Sequence, residues 1–112
     1  MNHCFLLVDA LPAWLRLPRA ERARIFETEV LALLPQYPGL RLRHFDAEAY
    51  SAVCSDVLML EVPDAKRLHF FIEALRDTSI YTVPYFEVRH IVPAWEEGYR
   101  AYEAEIADRS LA

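Results

Sequence analysis

The chain has 112 residues, of which 54% are hydrophobic and 26% charged, with a formal net charge of −5. This describes one globular domain able to bury its own core. Its acidic balance argues against nucleic acid or an anionic membrane as partner, and its two glycines are too few for a phosphate-cradling loop or a sandwich of many tight turns.

His3 to Ala10 is a short, continuous apolar run centred on Phe5-Leu6-Leu7-Val8, and it reads as a strand apolar on both faces. Pro12 to Leu17 is a connector holding Trp14 and Leu15, with room for one helical turn. Pro18 suits the first position of a long helix, predicted over Pro18 to Leu34, with Ala23, Phe26, Val30, Leu33 and Leu34 on its inner face. Pro35, Pro38 and Gly39 end it. Leu40 to Asp46 alternates, Leu40, Leu42 and His44 against Arg41, Arg43 and Phe45, as a strand does. Ala47 to Ala52 connects it to a second apolar strand, Val53 to Val62, close enough to form a hairpin.

Asp64 caps a helix after Pro63. Leu68, Phe71, Ile72 and Leu75 form its buried stripe, and it ends near Asp77. Thr78 to Val83 is a turn rich in hydroxyl groups, which bond readily to nearby backbone. Pro84 to Val92 is a fourth strand, with Tyr85, Glu87 and Arg89 opposite Phe86, Val88 and His90. Pro93 is expected to open a last helix to about Ile106, with Trp95, Tyr99, Tyr102 and Ile106 on one side and Gly98 permitting a close approach.

The order β-α-β-β-α-β-α is an α+β, ferredoxin-like (split βαβ) arrangement with an extra C-terminal helix. Its four-stranded antiparallel sheet should run 4-1-3-2, with the helices on one face. The other face carries apolar residues on the first and third strands and needs cover. A homodimer with two sheets packed face to face, a dimeric α/β barrel, is the economical solution. The last helix would then cover an edge or cross the partner.

Several segments together resemble the darcynin family of small bacterial proteins: Pro12-Ala13-Trp14-Leu15, Asp46-Ala47-Glu48-Ala49-Tyr50-Ser51, Cys54-Ser55-Asp56, Ile72-Glu73-Ala74-Leu75-Arg76-Asp77-Thr78 and Val83-Pro84-Tyr85-Phe86. The resemblance spans nearly the whole chain. It implies a compact bacterial domain and supplies neither an activity nor catalytic residues. The element order is also similar to the dimeric α/β-barrel superfamily, which includes cofactor-free monooxygenases, isomerases and haem-binding members. That link is one of fold.

His44, Asp56 and His90 fall on strand faces assigned to the core. His44 and His90 occupy opposite edge strands, three spacings of about 4.8 Å or roughly 14 Å apart, so one ion cannot join them. His44 and Asp56 lie on neighbouring strands. Such a pair either satisfies itself structurally or works as a general base, Asp56 orienting His44 to take a proton from an organic substrate. Tyr85 and Arg89, on the second face, and His90 are candidate ligand-binding residues, with intersubunit ion pairing as the competing role for that face. Cys4 and Cys54 have no metal or redox spacing and read as core thiols. No segment reaches the roughly 20 apolar residues that span a bilayer, and the N-terminal run is too short for a secretory signal. The expectation is a cytoplasmic homodimer with reduced thiols, without metal or cofactor, binding a small hydrophobic organic molecule between sheet and helices. A non-catalytic homodimeric interaction module and a cofactor-free monooxygenase- or isomerase-like enzyme using the His44–Asp56 pair are the alternatives.

Overall fold

In the computed structural model, which describes residues 2–111 and the side chains of residues 2–109, four strands form one antiparallel sheet in the order β2-β3-β1-β4. β1 is His3–Ala10, β2 Arg41–Asp46, β3 Asp56–Glu61 and β4 Phe86–Ala94. Helices α1 (Pro12–Leu15) and α2 (Arg19–Ile25) follow β1, α3 (Ala65–Arg76) and α4 (Ser79–Thr82) follow β3, and α5 (Gly98–Leu111) ends the chain. The element order and strand order are those of the expected α+β, ferredoxin-like fold. Among the described residues, no helix is long and apolar enough to cross a membrane.

The core lies between one sheet face and the helices. On β1, Cys4, Leu6 and Val8 are buried while their alternating neighbours are half-buried, the pleat sending successive side chains to opposite faces. Leu58 and Leu60 continue this layer on β3, and Leu68, Phe71 and Leu75 meet it from α3. Asp64 starts α3 as expected, Oδ1 accepting the Arg67 N–H at 2.8 Å. The hydroxyl-rich turn forms the short helix α4, with Thr78 Oγ1 accepting the Ile80 N–H at 3.3 Å and Ile80 buried.

The first long helix departs from its predicted form. Pro18 precedes α2 as its N-cap, and the helical path widens to a π turn over Phe26–Val30, then tightens to a 3₁₀ segment over Leu31–Gln36 that contains Pro35. The π turn changes the phase of the inward stripe. Ile25 and Val30 are buried, Phe26, Leu33 and Leu34 are half-buried, and Ala23, expected inside, is exposed.

The second strand of the hairpin begins at Asp56, with residues 53–55 in the preceding loop. Pro93 does not open a helix. It lies within β4 opposite Cys4, one pair before the ladder ends at His3 and Ala94, and an edge strand tolerates a residue without an N–H. Gly98 then starts α5, and a Cβ there would lie 3.2 Å from Trp95 Cβ and Cγ, so the close approach expected at Gly98 is made by Trp95. Trp95, Tyr99 and Tyr102 are 58%, 58% and 62% exposed. The Cα radius of gyration is 17.0 Å, against about 13 Å for a compact domain of this length, because α5 stands away from the sheet-and-helix body.

Both cysteines are free and buried. Burial raises the Cys4 thiol above its ordinary value of 9.0, so the folded protein keeps that proton after the unfolded chain has lost it. The associated stability is fully present below the ordinary thiol value and is lost as pH rises through the higher folded one. The Tyr81 phenol, raised above 10.0 chiefly by burial and lowered in part by Arg76, acts in the same direction at higher pH. Thermal melts should therefore show stability falling above about pH 9. Cys4→Ala should delay that onset toward the phenol range; an unaltered onset would remove Cys4 from the account.

Candidate functional site

A cavity of about 320 Å³ lies between α1, α2 and the helix-facing side of the sheet. Leu6, Val8, Leu58 and Val88 form its floor, and Trp14, Phe26 and Val30 its wall. Phe26 and Val30 bound the π turn of the first long helix, and such turns frequently accompany functional sites.

The polar side of the cavity comes from the end of the β2–β3 hairpin. Asp46 pairs with Asp56 across the ladder, and His44 pairs with Leu58. All three side chains therefore share the helix-facing side. His44 Nε2 lies 2.6 Å from Asp56 Oδ2. Asp56 is 7% exposed, whereas the His44 side chain is 39% exposed and sits against Phe26, ring centroids 5.7 Å apart. A carboxylate can only accept, so Nε2 carries the hydrogen and Nδ1 of neutral His44 holds a lone pair. Among the described residues, Nδ1 has no protein hydrogen-bond partner.

Ser55 holds the carboxylate from behind. Its Oγ accepts the Ala10 N–H at 2.7 Å and directs its single proton to Asp56 Oδ1 at 2.6 Å, in preference to the Val8 carbonyl at 3.1 Å. The Ser55 N–H donates to Asp9 Oδ1 and to the Val8 carbonyl, both at 3.0 Å. This Ser–Asp–His chain is anchored to β1 by backbone bonds, which limits the freedom of the imidazole.

Asp46 Oδ1 lies 3.8 Å from His44 Nε2, and one donor atom from each of His44, Asp46 and Asp56 falls within 4.8 Å of the others. The set has suitable donor chemistry for a divalent ion, but Nε2 and Oδ2 are at hydrogen-bond separation. Ligand atoms about 2.0–2.1 Å from a tetrahedral ion stand roughly 3.4 Å apart, so an ion would have to break the dyad to enter.

The three other candidate residues are not part of this arrangement. A β-bulge interrupts β4, where Leu7 pairs with His90 and Val8 with Val88. The extra residue is Arg89, and beyond it the faces exchange. His90, expected on the core side, lies instead on the open face with Leu7, while Ile91 takes the helix-facing side opposite Leu6. Arg89 is on the open face as expected and pairs with Asp9 at 3.4 Å. Tyr85, expected on that face, precedes β4 and packs edge-on against Trp14 at 5.4 Å. Arg89 and His90 instead line a more open depression with Arg76 and Tyr81.

The family model described as "Darcynin, domain of unknown function" matches residues 2–109. The chain belongs to the darcynin family. A darcynin of Chromobacterium violaceum is 50% identical over 72 residues, covering 64% of this chain and 91% of that one. Darcynin 1 of Acinetobacter baumannii is 38% identical over 88 residues, covering 79% and 98% respectively. A darcynin homolog of Streptomyces avermitilis is 40% identical over 103 residues, covering 90% and 84%. In three dimensions, this darcynin-family chain is similar to a chlorite dismutase from Candidatus Nitrospira defluvii in complex with imidazole, with TM-score 0.65 and 15% identity over 87% of this chain and 42% of that one. A dimeric chlorite dismutase from Nitrobacter winogradskyi gives TM-score 0.62 and 21% identity over 78% of this chain and 52% of that one. The chain thus spans about half or less of these solved proteins, and at such identity the likeness is one of fold.

Proposed function

We propose that this darcynin-family protein binds a small, largely apolar organic molecule in the cavity beside α2, with His44 as proton acceptor. The observation that carries this reading is an apolar chamber of about 320 Å³ whose polar side includes an oriented His–Asp pair. That volume falls in the range of small-molecule sites. A proton leaving the ligand would pass to His44 Nδ1, and Asp56 would stabilise the resulting imidazolium through the Nε2–H it already accepts. Ser55 is then a positioning residue.

The test is titration of the ¹⁵N-labelled protein with indole, a neutral apolar probe. Saturable shifts at Val8, Phe26 and Leu58, abolished by Ala23→Trp, which places a large side chain at a residue lining the cavity, are the expected result. No shifts at millimolar indole, or shifts that survive Ala23→Trp, would overturn the reading.

A second copy of the chain is the partner we propose for α5 and the open sheet face. The exposed Trp95, Tyr99 and Tyr102 are residue types enriched at interfaces. The open face offers Phe5, Leu7, Val57 and Met59 half-buried, with Phe45 and Val92 more exposed. Charge complements this apolar area, since Arg41, Arg43 and Arg89 border the open face while Glu96, Glu97, Glu103, Glu105 and Asp108 accompany α5. Pairing through these surfaces is the dimeric arrangement expected from the sheet.

A further inference from the structure

We propose that the ligand of the cavity is an organic anion, an aromatic or similarly apolar carboxylate. This rests on the cavity reading above and names its substrate class. The inference comes from the α2 side of the chamber, where Arg19 and Arg22 join the lining.

Neither guanidinium is engaged by a carboxylate of the described residues. Among the described residues, no Asp or Glu oxygen lies within ion-pair range of either, although Arg24 on the same helix pairs with Glu21 and Arg67 on α3 with Asp64. Arg22 is half-buried and held in place, Nε donating to the Leu17 carbonyl at 3.0 Å and one terminal nitrogen to the Leu15 carbonyl at 2.8 Å. These bonds fix its plane but leave its charge without an opposite charge. Arg19 has no side-chain hydrogen bond among the described residues. A carboxylate at this wall would receive charge-assisted bonds from guanidiniums, whose fork geometry matches its two oxygens.

The lining carboxylates do not favour a cation equally. Asp56 is committed to His44 and Ser55, while Asp46, its side chain 75% exposed, and Glu48 are lining carboxylates open to solvent, where water screens them. The chamber therefore has a positive wall, an apolar middle and a proton acceptor. An acid with its carboxylate at Arg19 and Arg22 and its apolar body on Trp14 and Phe26 would present its far end to His44.

The test compares 1-naphthylacetate with 1-naphthylacetamide, which has nearly the same shape without the charge, by calorimetry at low salt and neutral pH. The acid should bind about tenfold more tightly than the amide, the difference between charged and neutral hydrogen bonds. Added salt should reduce that preference. Arg19→Gln, at an exposed position that does not threaten folding, should remove most of it, and Arg19→Lys should retain part. Equal binding of acid and amide would overturn the anion inference and leave the cavity reading standing. Binding of neither would overturn both. A preference for acid unchanged in Arg19→Gln and in Arg22→Gln, each shown folded by its melt, would also overturn the assignment. Tighter binding of 1-naphthylmethylamine than of the acid would assign the site to cations instead.

Discussion

Asp56→Ala should lower stability by about 2–3 kcal/mol, whereas His44→Ala should cost about 1 kcal/mol. The asymmetry follows from burial. Asp56 is almost fully enclosed and accepts from both Ser55 and His44, so its loss leaves two donors to find new partners in a cramped site. The His44 ring reaches the cavity mouth, 39% exposed, where water can replace it as donor to Asp56. For a domain of this size the Asp56 change corresponds to a fall in Tm of about 10 °C. Equal melting of Asp56→Ala and wild type would remove the dyad from the set of structural contacts.

Asp56→Asn separates the structural role from the chemical one. The Asn carbonyl oxygen can still accept from Ser55, so stability should fall by only about 1 kcal/mol. Its amide then donates toward Nε2, which drives the imidazole hydrogen to Nδ1. The nitrogen with the free lone pair in the wild type thereby becomes a donor, and the proton acceptor is lost with the fold intact. Imidazole ¹⁵N shifts read this directly: protonated Nε2 in the neutral wild-type ring, protonated Nδ1 in Asp56→Asn. The same tautomer in both proteins would contradict the proposed hydrogen-bond polarity without reference to any substrate.

The legible part of this site rests on two rules that held locally. Adjacency of two strands in a short hairpin placed β2 beside β3, and alternation placed His44 on the helix side, near Asp56. The same alternation extends two residues to Asp46, which carries the same signal in the sequence. Ser55 carries no comparable signal, because its hold on Asp56 depends on backbone groups of β1 that are 45 or more residues away in sequence.

Where a rule of period was broken, inference from pattern failed. One inserted residue at the β4 bulge moved His90 across the sheet, and one widened turn replaced Ala23 by Ile25 in the core. Neither insertion alters composition or hydropathy, so strict periods of 2.0 and 3.6 could not register it. The cavity was expected only as a position between sheet and helices. Its size depends on how far α2 stands from the sheet, a tertiary quantity. Nothing in the sequence sets Arg19 and Arg22 apart from other helix-surface charges, because their missing acidic partners become evident only when the neighbouring elements are in place.

Tyr99→Glu combined with Tyr102→Glu should convert the proposed dimer, twice the 13.0 kDa chain mass, into a monomer at micromolar concentration. Aromatic anchors at the centre of an interface cost about 2 kcal/mol or more each when removed, and burying two added charges opposes association further. Together they should weaken pairing by about a thousandfold or more. Both tyrosines are exposed within their own chain, so the folded monomer should melt as the isolated wild-type chain would, and loss of dimer cannot be traced to unfolding. Light scattering supplies the mass. A wild-type monomer at these concentrations would refute the proposed assembly outright. A dimer that resists the α5 substitutions but yields to Phe45→Glu with Val92→Lys would confine the contact to the open sheet face, and α5 would then need a different occupant. The sheet face and α5 are therefore separable, because their apolar groups lie on different elements and can be charged independently.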